Sequence, residues 1–386
     1  MSPGDLFRRL GRADPVPWIL SSDDAQARRL ALAFLPIDGP KGRPAARKAA
    51  LAAATEDVRS HPATRRLLAM LPKAGNEPAR VSGHDKPELV TNLLDLLAEL
   101  GLKAGTEPRI ARLLDQLLSH SDADGRFQAF GAQRSGPAIW GCVPCDTHAI
   151  VEAAGQHGWA DDPRVRRALA AAESDIVETD LGPAWGCRPD PGTGFRGPGR
   201  KGEPCPQTTL EALRAFSWLP VRERPKRLAA VVHTVLEIWR QRGARKPYMF
   251  GHGRQFKVVK WPPTWYEAYE IVDVLGRLPE TWRGSAADRR SLAEIAACLL
   301  AYNVAEDGTV TPQSVFQGWE WLSIGQKKQP SPLATAMVWA RLVAIEELAA
   351  EISAVDVLAL SSSKGGTGRV LPPRIVQASG LRPRQD

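Results

Sequence analysis

Helical hairpins recur along this chain at a nearly constant step, beginning near Lys86, Cys145, Cys205, Thr264 and Ser331, roughly 60 residues apart. A unit reused at one length means a single supersecondary element stacked on itself, since one hairpin cannot bury its apolar face alone. Each copy reads as a Pro- or Gly-bearing loop, an apolar helix, a short turn and a second helix richer in Arg and Glu. In the second copy the helices are expected over 146–154 and 164–172, and in the third over 208–216 and 226–240. In the fourth they fall over 265–278 and 287–300. Pro163 and Pro225 are read as first-turn prolines.

The first helix of each pair is apolar nearly all round, whereas the second shows a polar face, as Arg164, Arg166 and Arg167 illustrate. A helix apolar all round must be enclosed. The simplest all-α arrangement that encloses one helix of every pair is an α/α toroid, two concentric rings of helices; an open solenoid is the alternative. Residues 86–355 form this repeat domain. The preceding segment, 1–85, is also helical, with Ser22 as N-cap of a helix over 24–35, and completes or caps the ring. Strand alternation is limited to stretches such as 256–260.

The net charge of +8 is concentrated late: the tail over 356–386 carries Lys364, Arg369, Arg374, Arg382 and Arg384 among Gly, Ser and Pro. Without interleaved aromatics it reads as a solvated basic end, and no nucleic-acid partner is expected. The chain lacks a run of about 18 apolar residues, so no transmembrane segment is expected. Residues 1–15 lack the apolar stretch of a secretory signal, and the expected location is cytoplasmic.

Two glycine turns, Asp122-Ala123-Asp124-Gly125-Arg126-Phe127 and Glu306-Asp307-Gly308-Thr309-Val310, stand between hairpins. They resemble the turn repeat of the terpenoid cyclase and protein prenyltransferase superfamily, the prenyltransferase and squalene oxidase repeat, whose members are α/α toroids. The resemblance runs in organisation from about Asp14 to Ile352 and implies an isoprenoid or other elongated apolar ligand. Squalene-cyclase-like enzymes carry a DxDD acid at the start of an inner helix. Here that stretch reads Val143-Pro144-Cys145-Asp146-Thr147-His148, so Asp146-Thr147 resembles the end of the motif and Cys145 stands where the key acid would be. A thiol is a much weaker proton donor than a carboxylic acid. Asp146 is then the nearest surviving acid, with His148 a turn further on as a second catalytic candidate or a pocket-wall residue.

Two copies of Trp-Gly-Cys, Trp140-Gly141-Cys142 and Trp185-Gly186-Cys187, are each followed by another cysteine that opens a helix, Cys145 and Cys205. Four of the chain's five cysteines thereby gather at joints that look equivalent. In a reducing compartment, Cys142, Cys145, Cys187 and Cys205 suit a tetrahedral zinc ion or an iron–sulfur cluster. Buried free thiols and a redox or nucleophilic pair are the other readings. Trp261, Trp265, Tyr266 and Tyr269 open the fourth inner helix and are candidates for the aromatic wall of an apolar ligand site, or for packing between rings. Two functions stand open: a cyclase- or prenyltransferase-like enzyme, and a non-catalytic metal-stapled scaffold that binds a protein or peptide.

Overall fold

The structure, a computed structural model, describes residues 5–37, 43–73, 75, 81–130, 139–193, 203–243, 256–264 and 266–360. Among them are fifteen α-helices and three two-stranded ribbons. The helices are α1 Asp5–Arg9, α2 Val16–Ser21, α3 Ala25–Phe34, α4 Pro44–Ser60, α5 Pro62–Met70, α6 Val90–Glu99, α7 Pro108–Leu117 and α8 Pro144–Gln156. They continue as α9 Pro163–Ser174, α10 Pro206–Ser217, α11 Leu228–Arg240, α12 Ala268–Gly276, α13 Ala286–Asn303, α14 Pro332–Ala344 and α15 Ala349–Ser353. None of them is long and apolar enough to cross a membrane.

The chain forms two compact units. One comprises Met1–Ala54, Trp239–Gly276 and Ser285–Asp386; the other comprises Thr55–Ile238 and Arg277–Gly284. In the second unit, α6, α8 and α10 lie side by side, with α7 and α9 packed against α8. The expected division of labour within a pair is present. From Asp146 to Gln156 every residue of α8 is buried, whereas α9 buries only Val165, Ala168, Leu169, Ala171 and Ala172 and turns its arginines outward. In the first unit, α3 lies along α14, α12 contacts both α13 and α14, and α1 meets α15.

Proline sets several helix starts, because its missing N–H falls where no intrahelical acceptor exists. It does so in α5, α7, α8, α9, α10 and α14. Pro163 opens α9 as expected, but Pro225 does not open α11, which begins at Leu228. Ser22 is not the cap of α3: the Asp24 carboxylate accepts from the Ala27 N–H at 3.0 Å, and the Ser22 hydroxyl donates back to Ile19 O at the end of α2. The shorter Ser22 side chain sits two residues too early to reach those orphan donors. The expected strand at 256–260 shrinks to Lys260–Trp261 (β5), which pairs in parallel with Ser314–Val315 (β6). The remaining ribbons are Ala129–Phe130 (β1) with Trp140–Gly141 (β2), and the hairpin Val177–Thr179 (β3) with Gly182–Ala184 (β4).

The two glycine turns share one geometry although they belong to different units. Ser121 bridges Phe127, and Val304 bridges Val310; Gly125 and Gly308 occupy the same place in each turn at φ +98° and +80°. Each glycine N–H closes the turn onto a carbonyl three residues back, at 3.1 and 3.0 Å. A side chain at Gly308 would in addition meet the Ala13 carbonyl oxygen, so both backbone angle and space demand glycine there.

A second repeated device ties each inner helix to the loop before it. Thr147, Thr209 and Thr335 all stand four residues beyond their N-cap positions, Val143, Cys205 and Ser331. Thr147 donates to Phe127 O at 2.7 Å, Thr209 to Trp185 O at 3.2 Å, and Thr335 accepts from the Val310 N–H at 2.9 Å. This register aligns Cys205 with Val143 and Ser331, not with Cys145. The two helix-opening cysteines therefore occupy different positions, and the joints that look equivalent in the sequence are offset.

Candidate functional site

The described residues of the second unit bring a group of acids and thiols together between α8 and α10. Asp146, in the first turn of α8, is 6% exposed and accepts a hydrogen bond from the Ser82 hydroxyl. Glu152, one and a half turns on, is 2% exposed and faces Arg214 of α10 at 3.4 Å. Gln207, Glu211 and Arg214 fall on one face of α10 by their spacing. The Gln207 amide donates to Glu211 Oε1 at 2.9 Å, and its carbonyl oxygen lies 2.7 Å from His84 Nδ1. Glu211 Oε2 is enclosed without a hydrogen-bond partner. Burial, reinforced by the negative charges of Asp146, Glu152 and Cys205, pushes the Glu211 carboxyl well above the usual carboxylate range. Glu211 is thus an enclosed acid with a raised pKa, near the anchored carboxyl group of Asp146.

Asp146 was legible in the sequence; Ser82, Glu152, Gln207 and Glu211 were not singled out. The available signal was charged and amide residues placed at interior positions of helices read as apolar. Helix periodicity marks such positions but does not say that they meet.

Three of the four cysteines expected to form a metal centre share this neighbourhood. Cys145, Cys187 and Cys205 are close enough for the charge of one to raise the pKa of another, Cys205 acting on Cys145 and both acting on Cys187. Cys142 has other partners: its sulfur lies 3.7 Å from Asp122 Oδ2 and 3.6 Å from the Arg126 carbonyl, and its N–H donates to Asp190. There Arg126 bridges Asp122, Asp124 and Asp175, and one of these carboxylates is the same oxygen the thiol meets. All five cysteines are free thiols. Among the described residues no group of three or more His, Cys, Asp or Glu side chains stands close enough to hold a metal ion.

The two tryptophans of the duplicated tripeptide also differ. Trp185 is 1% exposed and donates its indole N–H to Ala172 O, whereas Trp140 is half-buried and stacks on His120 at 3.5 Å between ring centres. His148 is enclosed between α8 and α10, edge-on to Trp185, with Nδ1 donating to Thr208 O at 3.3 Å. Burial lowers its pKa to about 4, and His157, which donates to Leu94 O, is lowered likewise to about 4. Both rings are neutral at pH 7. Between pH 6.5 and about 4 the unfolded chain takes up protons that the folded chain refuses, so stability falls as pH falls through that window, at up to about 1.4 kcal/mol per pH unit for each ring. Urea midpoints at pH 7 and pH 5 check this, and the drop should be shallower in His148→Gln; an unchanged slope in that variant would mean the ring is solvated.

The aromatic candidates lie in the first unit. Trp261, Tyr266 and Tyr269 are 1%, 3% and 2% exposed, and Trp261 meets Tyr269 edge-on at 5.9 Å. The Arg341 guanidinium covers the Tyr269 ring at 4.9 Å, so that π face already has a cation. Trp265 lies outside the described residues.

The repeated turn and threonine devices and the enclosed polar group mark a mostly helical protein with a buried polar centre in one of its two units. The chain matches no protein-family model, no curated protein and no solved structure.

Proposed function

We propose that the protein is a terpenoid-cyclase-like α/α toroid that takes an isoprenoid or other elongated apolar ligand and starts chemistry on it by protonation, with Glu211 as the acid. The observation that carries this reading is the enclosed Glu211 carboxyl, whose Oε2 has no hydrogen-bond partner and whose pKa is raised by burial and by nearby Asp146. Also in its favour are the enclosure of α8 beside the polar-faced α9, and the common turn and threonine devices of the two units.

In this reading Oε2 of Glu211, free of protein partners, carries the proton to an alkene carbon of the ligand. A carboxylic acid is a feeble acid towards an alkene in water. In an enclosed site the forming carbocation and the Glu211 carboxylate attract each other strongly, and the Gln207 amide steadies the new anion through Oε1. The nearby Asp146 and Glu152 add further negative charge that favours the cation. Ser82 and Arg214 hold those two carboxyl groups in place.

Incubation with squalene and with prenyl diphosphates, followed by product analysis, tests the reading. Turnover is expected for at least one polyene, and Asp146→Asn should reduce it by about 100-fold or more without loss of helix content. Full activity in that variant would remove Asp146 from the mechanism, and a complete lack of turnover with well-folded protein would end the proposal.

A further inference from the structure

We infer that His84 is a positioning residue of the acid centre: by donating from Nδ1 to the Gln207 carbonyl oxygen it holds the N–H end of that amide on Glu211 Oε1 and leaves Oε2 as the oxygen that carries the proton. The inference rests on the proposed reading of Glu211 as the acid. Its starting point is the segment 81–86, which leads into α6. The Val81 carbonyl accepts from the Thr91 N–H at 3.1 Å and from the Thr91 hydroxyl at 2.8 Å. The Asn92 amide donates to Gly83 O at 2.8 Å and to Lys86 O at 2.9 Å. Both ends of the segment are thereby tied to the first turn of α6. Between them Gly83 takes φ +147°, an angle that side-chain-bearing residues disfavour, and its two neighbours serve different helices. The Ser82 hydroxyl donates to Asp146 of α8, and His84 meets Gln207 of α10.

The orientation of the Gln207 amide matters because its two ends are chemically opposite. The oxygen only accepts and the nitrogen only donates, and half a turn of the amide exchanges them. At 2.7 Å a bare lone pair on His84 Nδ1 would face a lone pair of the Gln207 oxygen and repel it, so a hydrogen stands between them and the imidazole supplies it. With its oxygen engaged in this way, Gln207 turns its nitrogen to Glu211 and donates to Oε1 at 2.9 Å. In a carboxylic acid the carbonyl oxygen is the better acceptor. The donated bond therefore selects Oε1 as carbonyl and Oε2 as hydroxyl, and Oε2 has no hydrogen-bond partner among the described residues.

Gln207 and Glu211 do not make this choice by themselves, because an amide beside a carboxylic acid can pair in either sense. In the reversed sense the Glu211 hydroxyl would donate to the Gln207 oxygen, and the proton would be turned away from the ligand. His84 decides between the two because its own place is fixed by the segment tied to α6. Asn in place of His84 offers an amide N–H near the Nδ1 position and preserves the choice. Leu fills similar space without a donor.

The test uses the full chain at pH 8, with the histidine tautomers read by long-range nitrogen-15 NMR and the turnover of a polyene followed in parallel. The expected spectrum places hydrogen on Nδ1 of His84, the less common tautomer of a neutral imidazole in water, with the signal assigned by its loss in His84→Asn. His84→Leu should lower kcat about tenfold or more with little change in KM, whereas His84→Asn should stay near the wild-type rate. Far-UV circular dichroism should be the same for all three proteins. A role in stability alone would not separate the kcat values of the two variants. A bare Nδ1 in the wild-type protein, or equal kcat in the Leu and Asn variants, would overturn the inference. If the wild-type protein turns over no polyene, the cyclase reading fails on its own, and the tautomer still decides whether His84 sets the amide.

Discussion

Replacing Asp273 by Ala should cost about 3–5 kcal/mol of stability, because it removes a buried carboxylate paired with a buried guanidinium. Asp273 of α12 and Arg341 of α14 meet at 3.1 Å with side chains only 7% and 10% exposed. The pair is enclosed by the packing of those two helices, and Arg341 also lies over the Tyr269 ring. Removing one partner leaves the other charge desolvated with less compensation, a larger penalty than the pair's own net contribution. The double variant Asp273→Leu with Arg341→Met should recover most of the loss, since neither charge then has to be desolvated. Urea unfolding of the three proteins at pH 7 measures both effects. A loss below about 1 kcal/mol in the single variant would mean that water reaches the pair.

Glu211→Gln should separate function from stability. Under the proposed mechanism it removes the transferable proton, and turnover of a polyene should fall by about 100-fold or more. Stability should respond in the opposite sense at neutral pH. The folded carboxyl has a raised pKa, so as pH rises above the ordinary value of 4.5 the unfolded chain loses a proton that the folded chain retains. Stability therefore decreases as pH rises through that window, up to the folded pKa, and the amide lacks this slope. Glu267, 1% exposed in the first unit and raised by burial as well, contributes a slope of the same sign that the variant keeps. The stability–pH curve of the variant should accordingly be flatter but not flat between pH 5 and 8. Equal slopes in the two proteins would show that Glu211 is ionised in the fold, and with it the acid assigned here would fail. Glu211→Asp, which retains a carboxyl on a shorter arm, should keep part of the activity lost by the amide.

Both predictions concern groups whose importance depends on enclosure, and enclosure is the quantity a linear pattern conveys least. The alternation of an apolar helix with a polar-faced one announced which members of each pair would be buried, and α8 and α9 carry that out residue by residue. The glycine turns could be located for the same kind of reason. A glycine after Asp-x-Asp or Asp at fixed spacing is a local backbone device, and Gly125 and Gly308 adopt the left-handed angle it requires. Local devices with competing candidates were less secure: Asp24 rather than Ser22 caps α3 because the carboxylate is adjacent to the helix.

The cysteines show where linear reading stops. Their spacing around two Trp-Gly-Cys tripeptides suggested four thiols at like positions. The chain reaches its second helix start by a different route: β3 and β4 precede Trp185, and Cys205 itself takes the N-cap, while Cys145 lies within the first turn of α8. Cys142 consequently faces the Asp122 and Arg126 turn, while Cys205 accepts a hydrogen bond from the Thr208 hydroxyl. The acids Glu152 and Glu211 stood in plain view in the sequence. Nothing local indicates, however, that residues 59 apart on α8 and α10 share one enclosed space.

The amino-acid order on its own determined the helical class, the contrast between the enclosed α8 and the polar-faced α9, and the glycine turns, because these follow from periodicity and backbone stereochemistry within a few residues. Which acids share an enclosed space and which carboxylate of α12 meets Arg341 of α14 were decided only by tertiary structure. Those properties depend on desolvation and on charges brought close in space, and both are set by the packing of helices far apart in the chain.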